Sequence, residues 1–444
     1  MRPLGNFVIM KKLLLFVCCI SALNGFAQQK MSLTEVINVA LKNSYDIQLA
    51  QNSIEISTVS NSYGFAGGLP VVTGTATDNE QVTSINQKYA DPTRNTVKDN
   101  VGTNNLAVGV TGSILLYNGL RVNATKRRLE ELLQQNQQLL SAQIQNTIAG
   151  VLSKYYDVVR QQYLLRTIDR TIEVSKEKLQ ILEVRKQVGV ANNADIFQAQ
   201  LDLNANLQLK ESQYLTIDQA KTDLLNLIFL KPADQKIIIE DTIIIDKSIS
   251  FDSVRNHLSS NPAVIAAQQQ VHINELIEKE TAAARYPSLR ASTGYNLTSA
   301  KSAAGFSLLN QSYGPFVGIN LSVPIYNGTI SKKQQQIAEI NTKSARTNFD
   351  YLLLNYETDA VRTYQAYSNS INQLKMESEN LKLSQQLLEL ISKKFELGQA
   401  TIIDVKQAQQ SFENASYRLI NLTYTAKIAE VELKRLENIL SVKY

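Results

Sequence analysis

Thirteen residues from Phe316 to Gly328, reading FVGINLSVPIYNG, answer a stretch from Ala107 to Gly119, reading AVGVTGSILLYNG, at a distance of 209 positions. Far downstream, Gly398, Asp404 and Gln407-Ala408-Gln409 answer Gly189, Asp195 and Gln198-Ala199-Gln200 at the same distance. Neither copy carries a net insertion between these marks. A repeat whose length is held this strictly predicts one elongated body of two equivalent halves, with rods that end at the same level, in place of the two or three globular domains its length would suggest. The expected division is a leader over residues 1–27, a first repeat over 28–230, a linker over 231–249 and a second repeat over 250–444.

The leader has three parts. Met10-Lys11-Lys12 supplies a basic start, Leu13 to Ile20 an apolar run and Ala27 a small residue at a cleavage point. This is the pattern of a secretory signal peptide, with Met10 a candidate start, and its apolar run is too short to span a membrane as a helix. Both cysteines, Cys18 and Cys19, fall inside it, so the mature chain is expected to carry none. Val17 is larger than the small residue usual before an acylated cysteine, which favours plain secretion over a lipid anchor. A net charge of +5, spread along the presumed helices without a basic stripe, gives no reason to expect a nucleic-acid partner.

Each repeat reads in the same order. Ser32-Leu33-Thr34-Glu35 is a capping-box start for an amphipathic helix expected to run toward Ser60, and its counterpart starts at Ser250-Phe251-Asp252 and runs toward Arg285. These leading helices are expected to end near Leu69-Pro70 and Tyr286-Pro287. The period then drops to two. Val317, Ile319, Leu321, Val323 and Ile325 alternate with Gly318, Asn320, Ser322 and Pro324, and Leu106, Val108, Val110, Ile114 and Leu116 do the same in the first repeat. With Leu289 to Leu297 and the weaker Val72-Gly74-Ala76, they predict two hairpins and four strands. The stretch holding Asp78, Asn79, Glu80, Asp91, Pro92, Lys98, Asp99 and Asn100 reads as a polar loop inside the first hairpin.

After Asn118-Gly119 and Asn327-Gly328 the apolar spacing changes to threes and fours, through Leu129, Leu132, Ile144, Val151 and Tyr155, and through Ile337, Ile340, Phe349, Leu352 and Tyr356. Proline-free helices of roughly 65 to 70 residues, about 100 Å long, are expected. Gly189 and Gly398 end them, and return helices run to about Phe229 and Leu440. The linker, with Ile237 to Ile239 and Ile243 to Ile245, could add a small strand pair.

Beyond the leader no segment offers the apolar length of a spanning helix, so any membrane crossing must be made by strands. Four strands leave two edges, and unpaired backbone groups in lipid cost several kcal/mol each. Four are also too few to close a barrel, for which about eight is the minimum. Chains must pool their strands, two giving eight and three giving twelve. Val317, Ile319, Leu321, Val323 and Ile325 would then face lipid, with Asn320 and Ser322 on the lumen side. Tyr117, Tyr286 and Tyr326 sit at strand ends, where an interfacial girdle or a soluble cap would equally place them.

The halved chain, the hairpins ending in LLYNG and PIYNG, and the helices turning at Val188-Gly189 and Leu397-Gly398 resemble the TolC family of outer-membrane efflux proteins, over nearly the whole mature chain. The resemblance implies a mainly α protein with a membrane β-barrel: a homotrimer with a twelve-stranded barrel in the outer membrane and a coiled-coil α-barrel crossing the periplasm. It also implies docking on a periplasmic adaptor and an inner-membrane pump that drives export through a passive channel. The tips Gly189, Val190, Gly398 and Gln399 would contact the adaptor.

Asp195 and Asp404 read locally as helix-start acids favoured by the helix dipole. The resemblance implies a different role, acids ringing the periplasmic entrance. Gln407 replaces a second acid of the family pattern and Ala400 a basic residue, so the expectation is one Asp ring softened by Gln198 and Gln407. No catalytic site, cofactor or metal is expected: His257 and His272 are the only histidines and lie far from any nucleophile motif. The rival from another class is a secreted coiled-coil rod without a pore.

Overall fold

The computed structural model describes residues 29–231, 237–303 and 307–440. The leader, Met10, Cys18 and Cys19 lie outside them. The described residues form β1 (Gln29–Lys30), α1 (Leu33–Asn43), α2 (Tyr45–Ser60), β2 (Val71–Gln87), β3 (Thr96–Tyr117), α3 (Arg121–Gln187), α4 (Asn193–Leu227), β4 (Ile237–Ile238), α5 (Phe251–His257), α6 (Pro262–Ala283), β5 (Ser288–Ser302), β6 (Leu309–Ser322), α7 (Ile330–Glu396) and α8 (Ile402–Leu436). The paired long helices α3 and α7 each hold 67 residues, and α4 and α8 each hold 35. Every bound of the second pair lies 209 residues beyond its partner in the first. The described residues pack into two compact units, each built from both repeats: 29–51, 139–231, 237–264 and 352–440 in one, 52–138, 265–303 and 307–351 in the other.

The leading helix of the first repeat does not run unbroken to Ser60. Ser32 and Glu35 form the expected capping box, but the helix stops at Asn43. Ser44 is buried, leaves the helical region and accepts a hydrogen bond from the Ile47 N–H at 3.4 Å, so one side chain ends α1 and caps α2. Asn261 plays this part in the second repeat. Its Oδ1 accepts from the Ala263 N–H while its Nδ2 donates to the carbonyls of Arg435 and Leu436 at the end of α8. Pro262 at the first position of α6 needs no hydrogen bond there. Helix α2 ends at Ser60, well before Leu69-Pro70, and residues 61–70 turn through Gly67 in the left-handed region.

The four long strands form one antiparallel sheet in the order β2-β3-β5-β6, so the two hairpins join through β3 and β5. Strands β2 and β3 extend well beyond the lengths read from their apolar alternation. The ladder continues from Asp78 opposite Leu106 to Gln87 opposite Thr96, so Asp78, Asn79, Glu80, Lys98, Asp99 and Asn100 lie in strand, not in a loop. Backbone pairing does not require apolar side chains where both faces are solvated. Asn104 even donates to Asp78 across the pair at 2.6 Å.

Register fixes the faces. Val110 lies opposite Gly74 and Tyr295, Val108 opposite Ala76 and Leu297, and Val317, Ile319 and Leu321 opposite Thr293, Ala291 and Leu289. One face therefore gathers the apolar alternates of all four strands, and the other carries Thr73, Thr75, Ser113, Arg290, Ser292, Asn296 and Asn320. The bulge between Leu115 and Tyr117 shifts the phase by one residue and brings Tyr117 opposite Leu289, onto the apolar face. Strand β6 ends at Ser322, so Val323 and Ile325 lie past it and not in the strand expected to reach Ile325. Gly328 and Thr329, like Gly119 and Leu120, are both left-handed and turn the chain from strand to helix.

The linker supplies one short strand in place of a pair: β4 runs parallel to β1, which lies outside the linker, and Ile243 to Ile245 form no strand. It is then fastened to α8: the buried Glu430 carboxylate accepts from the Asp246 N–H at 2.9 Å and from Lys427 and Lys434. Tyr367 donates its hydroxyl to the Asp246 carbonyl.

Candidate functional site

The ends of α3 and α7 and the starts of α4 and α8 lie within one unit. Both long helices stop by one device. Val190 N–H bonds to the Arg185 carbonyl and Gly189 N–H to that of Lys186, and Gln399 and Gly398 repeat this on Lys394 and Phe395. This is the Schellman arrangement, and it needs Gly189 and Gly398 at φ +82° and +78°, where a side chain would be strained. The same closure recurs at the ends of α4 and α8 with Phe229 and Asn438 in the left-handed position, the Phe229 ring resting against Tyr45 at 4.9 Å. Val188, Val190 and Leu397 stand exposed at the turns.

Behind the turns, Val174, Leu182, Ile196, Ala199, Leu388, Phe395, Val405, Ala408 and Phe412 form a core shared by all four helices. Arg185 donates to the Phe395 carbonyl and stacks on its ring, locking the end of α3 to the end of α7. Asn192 caps α4 through the Asp195 N–H at 2.8 Å. Thr401 and Asp404 form a capping box on α8, in which the carboxylate accepts from both the Thr401 N–H and hydroxyl at 2.8 Å. Those two bonds, the backbone one foremost, hold the Asp404 carboxyl below the usual range. Asp404 is exposed and so is Gln407 on the same turn, while Asp195 is half-buried.

Gln198 has a partner that sequence reading did not supply. It donates to Asp202 Oδ1 at 2.9 Å, and that carboxylate also receives Lys178 Nζ from α3 and Lys406 Nζ from α8, each at 3.0 Å. The Lys178 side chain is 1% exposed and that of Lys406 55%. Burial pushes the Asp202 carboxyl up, but the hydrogen bonds from Lys178, Lys406 and Gln198 outweigh it, and the net shift is downward. Buried Gln409 of α8 extends the network to Ser175 of α3, which also accepts from Asn206 of α4. Comparing repeats hid this site, because Ser411 stands where Asp202 would recur. The legible signal was the spacing of Asp195, Gln198 and Asp202, which puts all three on one helix face.

Of the expected lipid-side residues, Val317 at 85% and Ile319 at 73% are the most exposed large apolar side chains of the sheet. His257 bonds to the Ser253 carbonyl of its own helix and His272 lies 3.4 Å from Glu275. No helix among the described residues is long and apolar enough to cross a membrane.

A sheet that gathers the apolar alternates of four strands on one face, joined to long helix pairs, is the architecture of an outer-membrane channel. The model of the outer membrane efflux protein family matches residues 36–228 and 254–438, and the chain belongs to that family. It is 24% identical to the outer membrane protein TolC of Vibrio cholerae over 314 residues, 66% of this chain and 67% of that protein. It is 22% identical to the pyoverdine export outer membrane protein OpmQ of Pseudomonas aeruginosa over 90% of this chain and 84% of that one. Among solved structures it shares its fold with the outer-membrane channel OprN (TM-score 0.77, 15% identity, 91% of this chain and 89% of that one). VceC of Vibrio cholerae is similar (TM-score 0.76, 16% identity, 91% and 96%). The protein is an outer-membrane channel of an efflux system, extending into the periplasm; its relatives are channel proteins, not enzymes, and the pore-free rod is not favoured.

Proposed function

We propose that three copies pool their sheets into a twelve-stranded barrel through which a partner pump drives export. The observation that carries this reading is the sheet itself: β2 and β6 present free edges, while the face they share gathers Val72, Val108, Val110, Tyr295, Leu297, Val317, Ile319 and Leu321 in its half nearest the helices. Lipid would charge several kcal/mol for each unpaired edge group, so the edges must meet those of other copies. Exposed Ile330, Ile337, Ile340, Tyr351 and Leu354 on α7 keep a heptad rhythm, which supports helix pairing between copies along the same side. Val317, Ile319 and Leu321 meet lipid in this reading, with Val323 and Ile325 at the interfacial rim.

In the tip, Asp404, with Gln407, Asp195 and Gln198, lines the periplasmic entrance, and three Asp404 carboxylates attract cations to the axis. The exposed turns at Gly189-Val190 and Gly398-Gln399 contact a periplasmic adaptor, which couples the channel to an inner-membrane pump. Conductance of the purified protein in a planar bilayer tests this reading. Discrete cation-preferring steps are expected, with Asp404→Asn losing the preference. Steps of unchanged selectivity would reduce Asp404 to a capping residue, and folded protein that never inserts would overturn the barrel.

A further inference from the structure

A cavity of 480 Å³ opens where the central strands meet the helices, lined by Tyr117, Leu120, Arg127, Leu276, Lys279 and Tyr286 among others. Its aromatic wall is built by the strand ends. The β3 bulge puts Tyr117 on the apolar face opposite Leu289, and Tyr286 lies two residues before β5. Gly119 lets them close up, since a Cβ there would come within 2.8 Å of the Tyr286 Cβ. Its cationic wall comes from Arg127 of α3 and Lys279 of α6.

These two cations differ from their neighbours. Lys126 is held by Asn61 and Glu130, and Arg128 by Glu280. The other acids of this stretch of α6 are taken as well, Glu275 by Arg346 and Glu278 by Thr342. Arg127 and Lys279 have no ion-pair or hydrogen-bond partner among the described residues, and both line the cavity. Arg127 lies six residues into α3, about 9 Å along the axis, a depth comparable to a phospholipid headgroup layer beside a hydrocarbon core.

We propose that this cavity binds the phosphodiester of an anionic phospholipid of the periplasmic leaflet. Arg127 and Lys279 hold the phosphate, and Tyr117, Leu120 and Tyr286 take the glycerol and first methylenes. Two cations disfavour a zwitterionic headgroup, whose ammonium would be set against them. The proposal rests on the reading of the apolar sheet face as lipid-facing.

The test uses full-length protein in non-ionic detergent, with native mass spectrometry counting retained phosphatidylglycerol against phosphatidylcholine. Wild type is expected to retain the anionic probe preferentially. Each of Arg127→Gln and Lys279→Gln lowers its affinity about fivefold, and the double variant about thirtyfold. The exchanges Arg127→Lys and Lys279→Arg, and Lys382→Gln elsewhere on α7, keep it. Equal retention of the two lipids by wild type, or undiminished retention by the double variant, overturns the headgroup site. Vesicle flotation separates the underlying reading: if wild type fails to float with vesicles, the lipid-facing sheet has failed, whatever the lipid count.

Discussion

Asp202 carries two lysines whose surroundings differ, and the difference sets the size of two perturbations. Lys178 is buried and Asp202 is its one carboxylate partner among the described residues. Asp202→Asn leaves that ammonium uncompensated between helices, at a cost of about 3 kcal/mol. Lys406 is more than half exposed, and Lys406→Met should cost only about 0.5 kcal/mol. If the tip opens locally, amide exchange of peptides covering residues 171–187 and 193–210 should speed up about a hundredfold in the first variant and about twofold in the second. Adding Lys178→Met to Asp202→Asn should restore much of the protection, because the stranded charge is gone. The pH dependence has a definite sign. The folded-state pKa of Asp202 is depressed, so its contribution is complete above the unfolded value near 4 and is lost only as pH falls through the lower folded value. The difference in intrinsic-rate-corrected tip exchange between wild type and Asp202→Asn should therefore be flat between pH 7 and 5. Equal effects of the two substitutions, or no rescue in the double variant, would refute the argument.

Gly294→Ala should block assembly, since its Cβ would lie 2.2 Å from the Val110 carbonyl oxygen and 2.8 Å from the Phe316 ring; a heat-stable oligomer on semi-native gels would contradict this. Ile319→Arg should cost about 2–4 kcal/mol of membrane stability and Asn320→Arg far less, read as urea midpoints of vesicle-inserted protein, and equal midpoints would show that the two residues share one environment. Gly189→Ala and Gly398→Ala should each destabilise the tip by about 1 kcal/mol through backbone strain alone, because neither added Cβ meets an atom closer than 3.9 Å; tip-peptide exchange checks that the two effects match.

The sequence by itself determined the features written along a single element. The Asn-Gly pairs and the tip glycines marked where the two 67-residue helices start and end, the return helices ending at Leu227 and Leu436 in place of Phe229 and Leu440, and the period-two alternation set which residues share a sheet face, because each is recorded along one element. The glycines of the tips were legible for a similar reason: a left-handed closure is a local demand. Tertiary structure decided what depends on a neighbour. Ser44 breaks the leading helix through its own hydroxyl at a buried site where composition permitted a straight helix. Polar residues such as Asp78 and Lys98 stay in strand because a ladder needs only backbone. One bulged residue carries Tyr117 to the apolar face, against the parity read from β3. The Asp202 cluster joins α3, α4 and α8 through side chains far apart in the chain, and no periodicity encodes which charge on one helix will find which on another.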